Sequence, residues 1–266
     1  MAQIVSNQGS ISAYKNYSRS DSALSAATSR LSSGVRIQRA ADDPAGLAIS
    51  ETFRLQLRGV GAAEGNIDNA LNFLNTADSW LQNVSDILGR MEELAVQYGD
   101  ATKSDPENSG DSGDLANINI EFRQLVAELN AIVGTGETGA ANNARAKYNG
   151  AAIFTEAQRD FQVGPDAGQI FQTIEGQLDL LSSDQFENLQ ELLNFDAESY
   201  VIEPGEADDT TSGTLFTVQE SNAEVSSFRS LLGAVQSQLQ FIKTGLAGYS
   251  ENLSAAENRI RNVDLA

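Results

Sequence analysis

The chain has 266 residues, 41% hydrophobic and 20% charged, which is globular rather than disordered usage. Its formal charge of −20 and pI near 4.2 disfavour nucleic acid and anionic membrane surfaces as partners, since both are held by Lys and Arg. With no cysteine and no histidine, disulfide frameworks, zinc sites and Ser-His or Cys-His catalysis are excluded as well, leaving an enzyme only carboxylates, Lys, Ser or Tyr. Residues 1 to 30 lack the apolar stretch of a cleavable secretory signal, and no apolar run is long enough for membrane insertion, so the expectation is a chain soluble as made. Residues 3 to 33 are helix-compatible but sparse in large apolar side chains, with Ile4, Ile11, Tyr14, Leu24 and Leu31 spread among Ser, Ala and Asn. Such an arm has little to bury by itself and is expected to be ordered by a partner.

A connector follows in "LSSGVRIQRAADDPAGLAIS". Gly34 stops the first helix, and Asp43 before Pro44 makes an N-cap with Pro at the first helical position, so a new helix is expected near Ala45, running through Leu47, Phe53, Leu57 and Val60. Capping explains Asp42 and Asp43 better than a metal or acid–base pair does.

Periodicity is the strongest signal beyond that point. Ile67, Leu74, Leu81, Leu88 and Ala95 form one seven-residue series and Ala70, Ala77, Val84, Met91 and Tyr98 a second, so residues 66 to 98 read as a long heptad helix. Leu115, Ile118, Phe122, Leu125, Leu129 and Ile132 mark a shorter helix after the polar run "GDATKSDPENSGDSGD", which reads as a turn in an antiparallel hairpin and lacks the ligand register of an EF-hand. "YNGAAIF" (148–154), with its Asn-Gly turn, and "DFQVG" (160–164) read as the two strands of a small β-hairpin.

From Asp160 to Phe228 there is no Lys or Arg and fifteen Asp or Glu, whereas residues 1 to 60 carry seven bases against four acids. Within the acidic stretch a helix is expected, capped at Asp184 with Glu187 three residues on, and a strand at "TLFTV", Thr214–Val218. From Val225 the residues Phe228, Leu232, Val235, Leu239, Ile242, Leu246, Tyr249, Leu253, Ala256, Ile260 and Val263 follow in alternating steps of 3 and 4, a rod of roughly 58 Å at 1.5 Å per residue. Three seams that need one another imply a mainly α fold: an elongated antiparallel bundle of long heptad helices with a small β-hairpin and a small inserted variable unit. Leu74, Leu81 and Leu88 on one helix and Leu232, Leu239, Ile242 and Leu246 on another are the seam residues, with Leu81 and Leu88 expected opposite Leu239, Ile242 or Leu246. The expected division is an arm and connector at 1–44, a discontinuous helical core at 45–165 and 223–266, and an acidic insert at 166–222.

"RLSSGVRIQRAADDPAGLAIS", "SFRSLLGAVQSQL" (227–239) and "ENLSAAENRIRNVDLA" (251–266) occur in that order, and together they resemble bacterial flagellin, the subunit of the flagellar filament. The resemblance covers about residues 1–165 and 223–266. It implies a structural protein with no enzymatic activity, no catalytic or metal residues and no cofactor. Such a protein is exported by the flagellar type III machinery with its chaperone and polymerised with other flagellin subunits into an extracellular filament for motility. A hook–filament junction protein of the same family is the alternative. In flagellins the stretch similar to "NRIRNVDLA" continues into a further C-terminal helix that pairs with the N-terminal arm; that helix is absent here, so the expectation is a truncated chain that alone stays monomeric or forms small oligomers, the alternative being a short natural variant whose arm has another partner. The resemblance also implies contact with a vertebrate Toll-like receptor through segments similar to "GRMEELAVQ" and "INIEFRQL", here Arg90, Leu94 and Glu121, although Gly89 and Glu92 stand where recognised flagellins commonly have Gln and Arg. A plain solvated helix face is the competing reading of the same residues.

Overall fold

The computed structural model describes residues 8–100, 113–134, 144–154, 159–172, 187–194, 202 and 213–263. Helices dominate: α1 (Gln8–Ser33), α2 (Pro44–Tyr98), α3 (Asp114–Val133), α4 (Glu187–Asn194) and α5 (Thr214–Arg261). The remaining elements are β1 (Lys147–Tyr148), β2 (Ala151–Ala152), β3 (Asp160–Gln162) and β4 (Ile170–Gln172). These elements form two compact units, one of Met1–Ala63, Gly164–Asp166 and Thr244–Ala266, the other of Glu64–Val163 and Ala167–Lys243. Both α2 and α5 contribute residues to each unit.

In the larger unit the heptad series make the core. Ile67, Ala70, Leu74, Ala77, Leu81, Val84, Leu88, Met91 and Ala95 of α2 are buried, as are Phe228, Leu232, Val235 and Leu239 of α5. Polar pairs fix how these helices run: Asp68 with Lys243, Asn75 with Gln236 at 3.3 Å, Asp78 with Arg229 at 2.8 Å, Ser85 with Asn222 at 2.9 Å, and Glu92 with Gln219 at 2.8 Å. As the α2 number rises the α5 number falls, so the two segments are antiparallel. The register corrects one expectation. Leu81 lies between Asp78 and Ser85 and is therefore level with Val225 and Phe228, about three turns from Leu239 and further from Ile242 and Leu246; Leu88, between Ser85 and Glu92, lies further still from all three.

The strand expected at Thr214–Val218 is also overturned, because those residues open α5. Their Thr, Phe and Val content favours strands, but Thr214, Val218 and Ser221 are buried and continue the 3-and-4 spacing backward from Val225. Burial of a long seam outweighs a β-propensity that spans only about 1 kcal/mol. The helices expected to begin near Ala45 and at residue 66 are one helix of 55 residues. In the smaller unit this helix passes Gly59, where an added Cβ would stand 2.8 Å from the Cβ of Pro165.

α3 joins the larger core through Ile118, Phe122, Val126, Leu129, Ile132 and Val133. The expected Leu125 is only half-buried, and Val126 replaces it in the core. Gly134 ends the helix in the left-handed region at φ 94°, its N–H donating to the Asn130 carbonyl at 2.8 Å. The expected cap of α4, Asp184, lies outside the described residues. Two of the helix's first backbone N–H groups, on Asn188 and Leu189, donate at 3.2 and 3.0 Å to the Glu224 carboxylate on α5, so a distant acid serves as cap.

The two strand segments do not pair with each other as expected. β1 pairs antiparallel with β2 (Tyr148↔Ala151), turning through Asn149 and Gly150, and β3 pairs with β4 (Phe161↔Phe171). The Asn-Gly turn is tight enough to close a hairpin inside "YNGAAIF", leaving "DFQVG" to find its partner at Ile170–Gln172. Tyr148 and Phe161 nevertheless meet the same α2 ring, Phe73, with centroids 5.4 and 6.2 Å away, and Arg159 stacks over that ring at 4.8 Å. The turn expected at "GDATKSDPENSGDSGD" lies largely outside the described residues, as does most of the acidic insert.

Candidate functional site

Among the described residues of α1 none is buried. Ile11, Tyr14, Tyr17, Leu24 and Leu31 are all at least half exposed, Tyr14 at 74% and Tyr17 at 71%. Tyr17, Leu24 and Leu31 recur every seven residues, so they stand on one side of the helix, with Tyr14 flanking them. Among the described residues nothing covers this apolar stripe, which is the kind of surface that partner molecules cover. Several of its hydroxyls are satisfied within the helix: Ser12, Ser22 and Thr28 donate back to the carbonyls four residues earlier.

The connector is ordered by its own polar groups and by α5. Gly34 takes φ 68°, a conformation costly for a residue with a Cβ. Asp43 accepts from the Gly46 N–H at 2.9 Å, which makes it the N-cap of α2, and Pro44 is the first helical residue. Asp42 accepts from the Gln38 and Arg39 N–H groups at 3.2 and 3.1 Å and pairs with Arg30 of α1 at 2.8 Å. Both aspartates are thus occupied with chain geometry.

The connector then pairs with the end of α5. Val35 bridges Asn262, the Arg36 N–H donates to the Arg261 carbonyl at 2.7 Å, and the Val263 N–H donates to the Gly34 carbonyl at 2.9 Å. The Arg36 guanidinium donates to the Ile260 carbonyl at 2.7 Å, a cation on the last turn of a helix. Arg261 in turn bonds Glu51 of α2 at 2.9 Å. This arrangement explains how α5 stops at Arg261 with no glycine or proline: strand-like pairing takes over its final backbone groups. It corrects the seam reading at Val263, which lies past the helix.

The Arg39 N–H, followed by Arg30, holds the Asp42 carboxyl below its ordinary value of 3.8, and Arg261, followed by Arg54, holds Glu51 below 4.5. A carboxylate whose folded pKa is depressed contributes its stabilisation above the unfolded value and loses it as pH falls through the folded value. The clasp formed by Arg30, Gln38, Arg39 and Asp42 should therefore persist at neutral pH and open only below pH 3.8. Titration of the Asp42 carboxyl carbon by NMR should give a midpoint under 3.8, and a midpoint at or above it would contradict this reading.

The seam residues divide. Leu74, Leu81, Leu88, Leu232 and Leu239 are buried, whereas Ile242 and Leu246 are half-buried. Of the three residues considered for a receptor, Arg90 and Glu121 are exposed partners in an ion pair at 2.7 Å, and Arg90 also pairs with Glu93 at 2.8 Å. Glu93 and then Glu121 hold the Arg90 pKa above its ordinary value. Leu94 is only 1% exposed, so its side chain belongs to the core and is withdrawn from any surface contact. Neighbouring positions on a helix lie about 100° apart, so the heptad series, which passes through Ala95, did not include Leu94.

Sequence comparison sets this geometry beside known proteins. The bacterial flagellin N-terminal helical region matches residues 4–158, and the bacterial flagellin C-terminal helical region matches residues 215–266. A flagellin of Halalkalibacterium halodurans is 35% identical over 247 residues, spanning 90% of this chain and 78% of the relative. A flagellin of Bacillus subtilis is 33% identical over 269 residues, spanning 98% and 87%. The flagellar filament 33 kDa core protein of Treponema phagedenis is 32% identical over 241 residues, spanning 89% and 78%.

Proposed function

From the premise that this chain belongs to the bacterial flagellin family and is a flagellar filament subunit, we propose that it is exported through the flagellar type III pathway, with a chaperone, and polymerised outside the cell into the filament that motility requires. The observation that carries the reading is α1: a helix of 26 residues whose Tyr14, Tyr17, Leu24 and Leu31 face solvent. Fixing a backbone costs on the order of 1 to 2 kcal/mol per residue, and burial against neighbouring copies is the means by which such a stripe offsets that cost. The connector supports it from the other side, since Arg30, Asp42, Arg36 and the α5 terminus hold the base of the arm in place.

By name, two of the relatives above are flagellins and the third is a flagellar filament core protein, so the hook–filament junction reading is not favoured. Recognition by a vertebrate Toll-like receptor is a second proposal, resting on Arg90 and Glu121 alone; Glu92, where recognised flagellins commonly carry Arg, instead accepts from Gln219. Mass spectrometry of filaments sheared from cells that make the chain should return its peptides as a stoichiometric constituent. Filaments free of those peptides would overturn the assignment.

A further inference from the structure

Asn149 and Gly150 are the two turn residues between β1 and β2, at φ 51° and 81°, and both are exposed. They are the chain's one Asn-Gly pair. Beyond its chain neighbours, nothing lies within 4 Å of the place a Gly150 Cβ would occupy, so the turn stands clear of packed side chains on that side. Asn149, Gly150 and Ala151 are exposed, whereas Ala146, Ala152 and Ile153 at the base of the hairpin are buried, so the turn is free to open locally while its base stays packed.

We propose that Asn149–Gly150 is a site of spontaneous backbone rearrangement. In the open turn the deprotonated Gly150 nitrogen attacks the Asn149 side-chain carbonyl carbon; a C–N bond forms, the bond to the carboxamide nitrogen breaks, and ammonia leaves. Water then opens the cyclic imide at one of its two carbonyls, giving either aspartate or isoaspartate. The net change is water in and ammonia out, and the rate rises with pH because the attacking nitrogen must first lose its proton.

The isoaspartyl product carries a new negative charge and one additional main-chain carbon. A two-residue turn with both φ values positive cannot accommodate that carbon, so the Tyr148↔Ala151 register is lost. Tyr148, which meets Phe73 edge-on at 5.4 Å, loses its placement with it.

The test is to age the purified chain at mildly alkaline pH and map isoaspartate by methyltransferase labelling and peptide mass spectrometry. Isoaspartate at position 149 should accumulate several times faster than at the exposed Asn16 and Asn258, with ammonia released in step. Asn149→Gly keeps a turn sequence suited to positive φ but lacks the carboxamide, and its peptide should stay unlabelled. The Tyr148–Phe73 ring contact followed by NMR should decay with the same time course. Labelling at 149 no faster than at Asn16 and Asn258 would overturn the site, and a ring contact that persists in the isoaspartyl form would overturn its structural consequence.

Discussion

Leu81→Ala should destabilise the larger unit by about 2 to 5 kcal/mol, a large share of the roughly 5 to 15 kcal/mol that holds a domain folded. Leu81 has no exposed surface and sits on α2 between Asp78, which pairs with Arg229, and Ser85, which pairs with Asn222. It therefore meets the helix that carries Val225 and Phe228, both buried. Two rigid helices tied at both flanks cannot collapse into the space left by an isobutyl group, which places the cost well above simple transfer. The denaturant midpoint should fall while the slope is unchanged. Phe241→Ala, at a position 78% exposed, should stay within about 0.5 kcal/mol and serves as the control. An unchanged midpoint for Leu81→Ala would mean that the antiparallel pairing of α2 and α5 is wrong.

A larger effect is expected on assembly. The combined change Tyr17→Ser, Leu24→Ser and Leu31→Ser removes the stripe on α1 while touching no buried residue. If each side chain is covered in the filament, its burial contributes about 1.5 to 3 kcal/mol, and losing three weakens each subunit contact by on the order of a thousandfold or more. The isolated variant should melt at the same temperature as the unaltered chain, since α1 supplies nothing to either core. Incorporation of the variant into filaments, scored by electron microscopy, should be abolished. Normal incorporation would show that another surface carries assembly.

The difference between those two experiments mirrors what could be read from the sequence. Heptad steps of 3 and 4 identified Leu74, Leu81, Leu88, Leu232 and Leu239 as core because such spacing places side chains on one face whatever the partner. Capping chemistry at Gly34, Asp43 and Pro44 was legible for the same reason: it acts within a few residues. Register was not legible, because sliding one heptad helix past another by whole repeats leaves the apolar pattern unchanged. The pairs Asp78–Arg229 and Asp68–Lys243 select among these alternatives. The end of α5 was hidden as well, since its stop is made by residues 34–37, more than two hundred positions earlier. Thr214–Val218 misled because local β-propensity and the seam disagree there, and the seam decides. In the site, the exposure of α1 followed from its sparse apolar content, whereas the burial of Leu94 depended on how α2 meets its neighbours.

Ordering of α1 by neighbouring subunits is the central claim, and hydrogen exchange tests it on the assembled protein. Amide exchange followed by mass spectrometry should be compared between the isolated chain and filaments sheared from cells that produce it. In the isolated chain, peptides from Gln8–Ser33 should exchange far faster than those from Ile67–Tyr98, because α1 buries nothing while α2 lines a core. In filaments the α1 peptides should become protected to a degree approaching that of α2. Filaments in which α1 exchanges as fast as it does in the isolated chain would contradict the account, since the stripe of Tyr17, Leu24 and Leu31 would then remain uncovered in the assembly it is proposed to build.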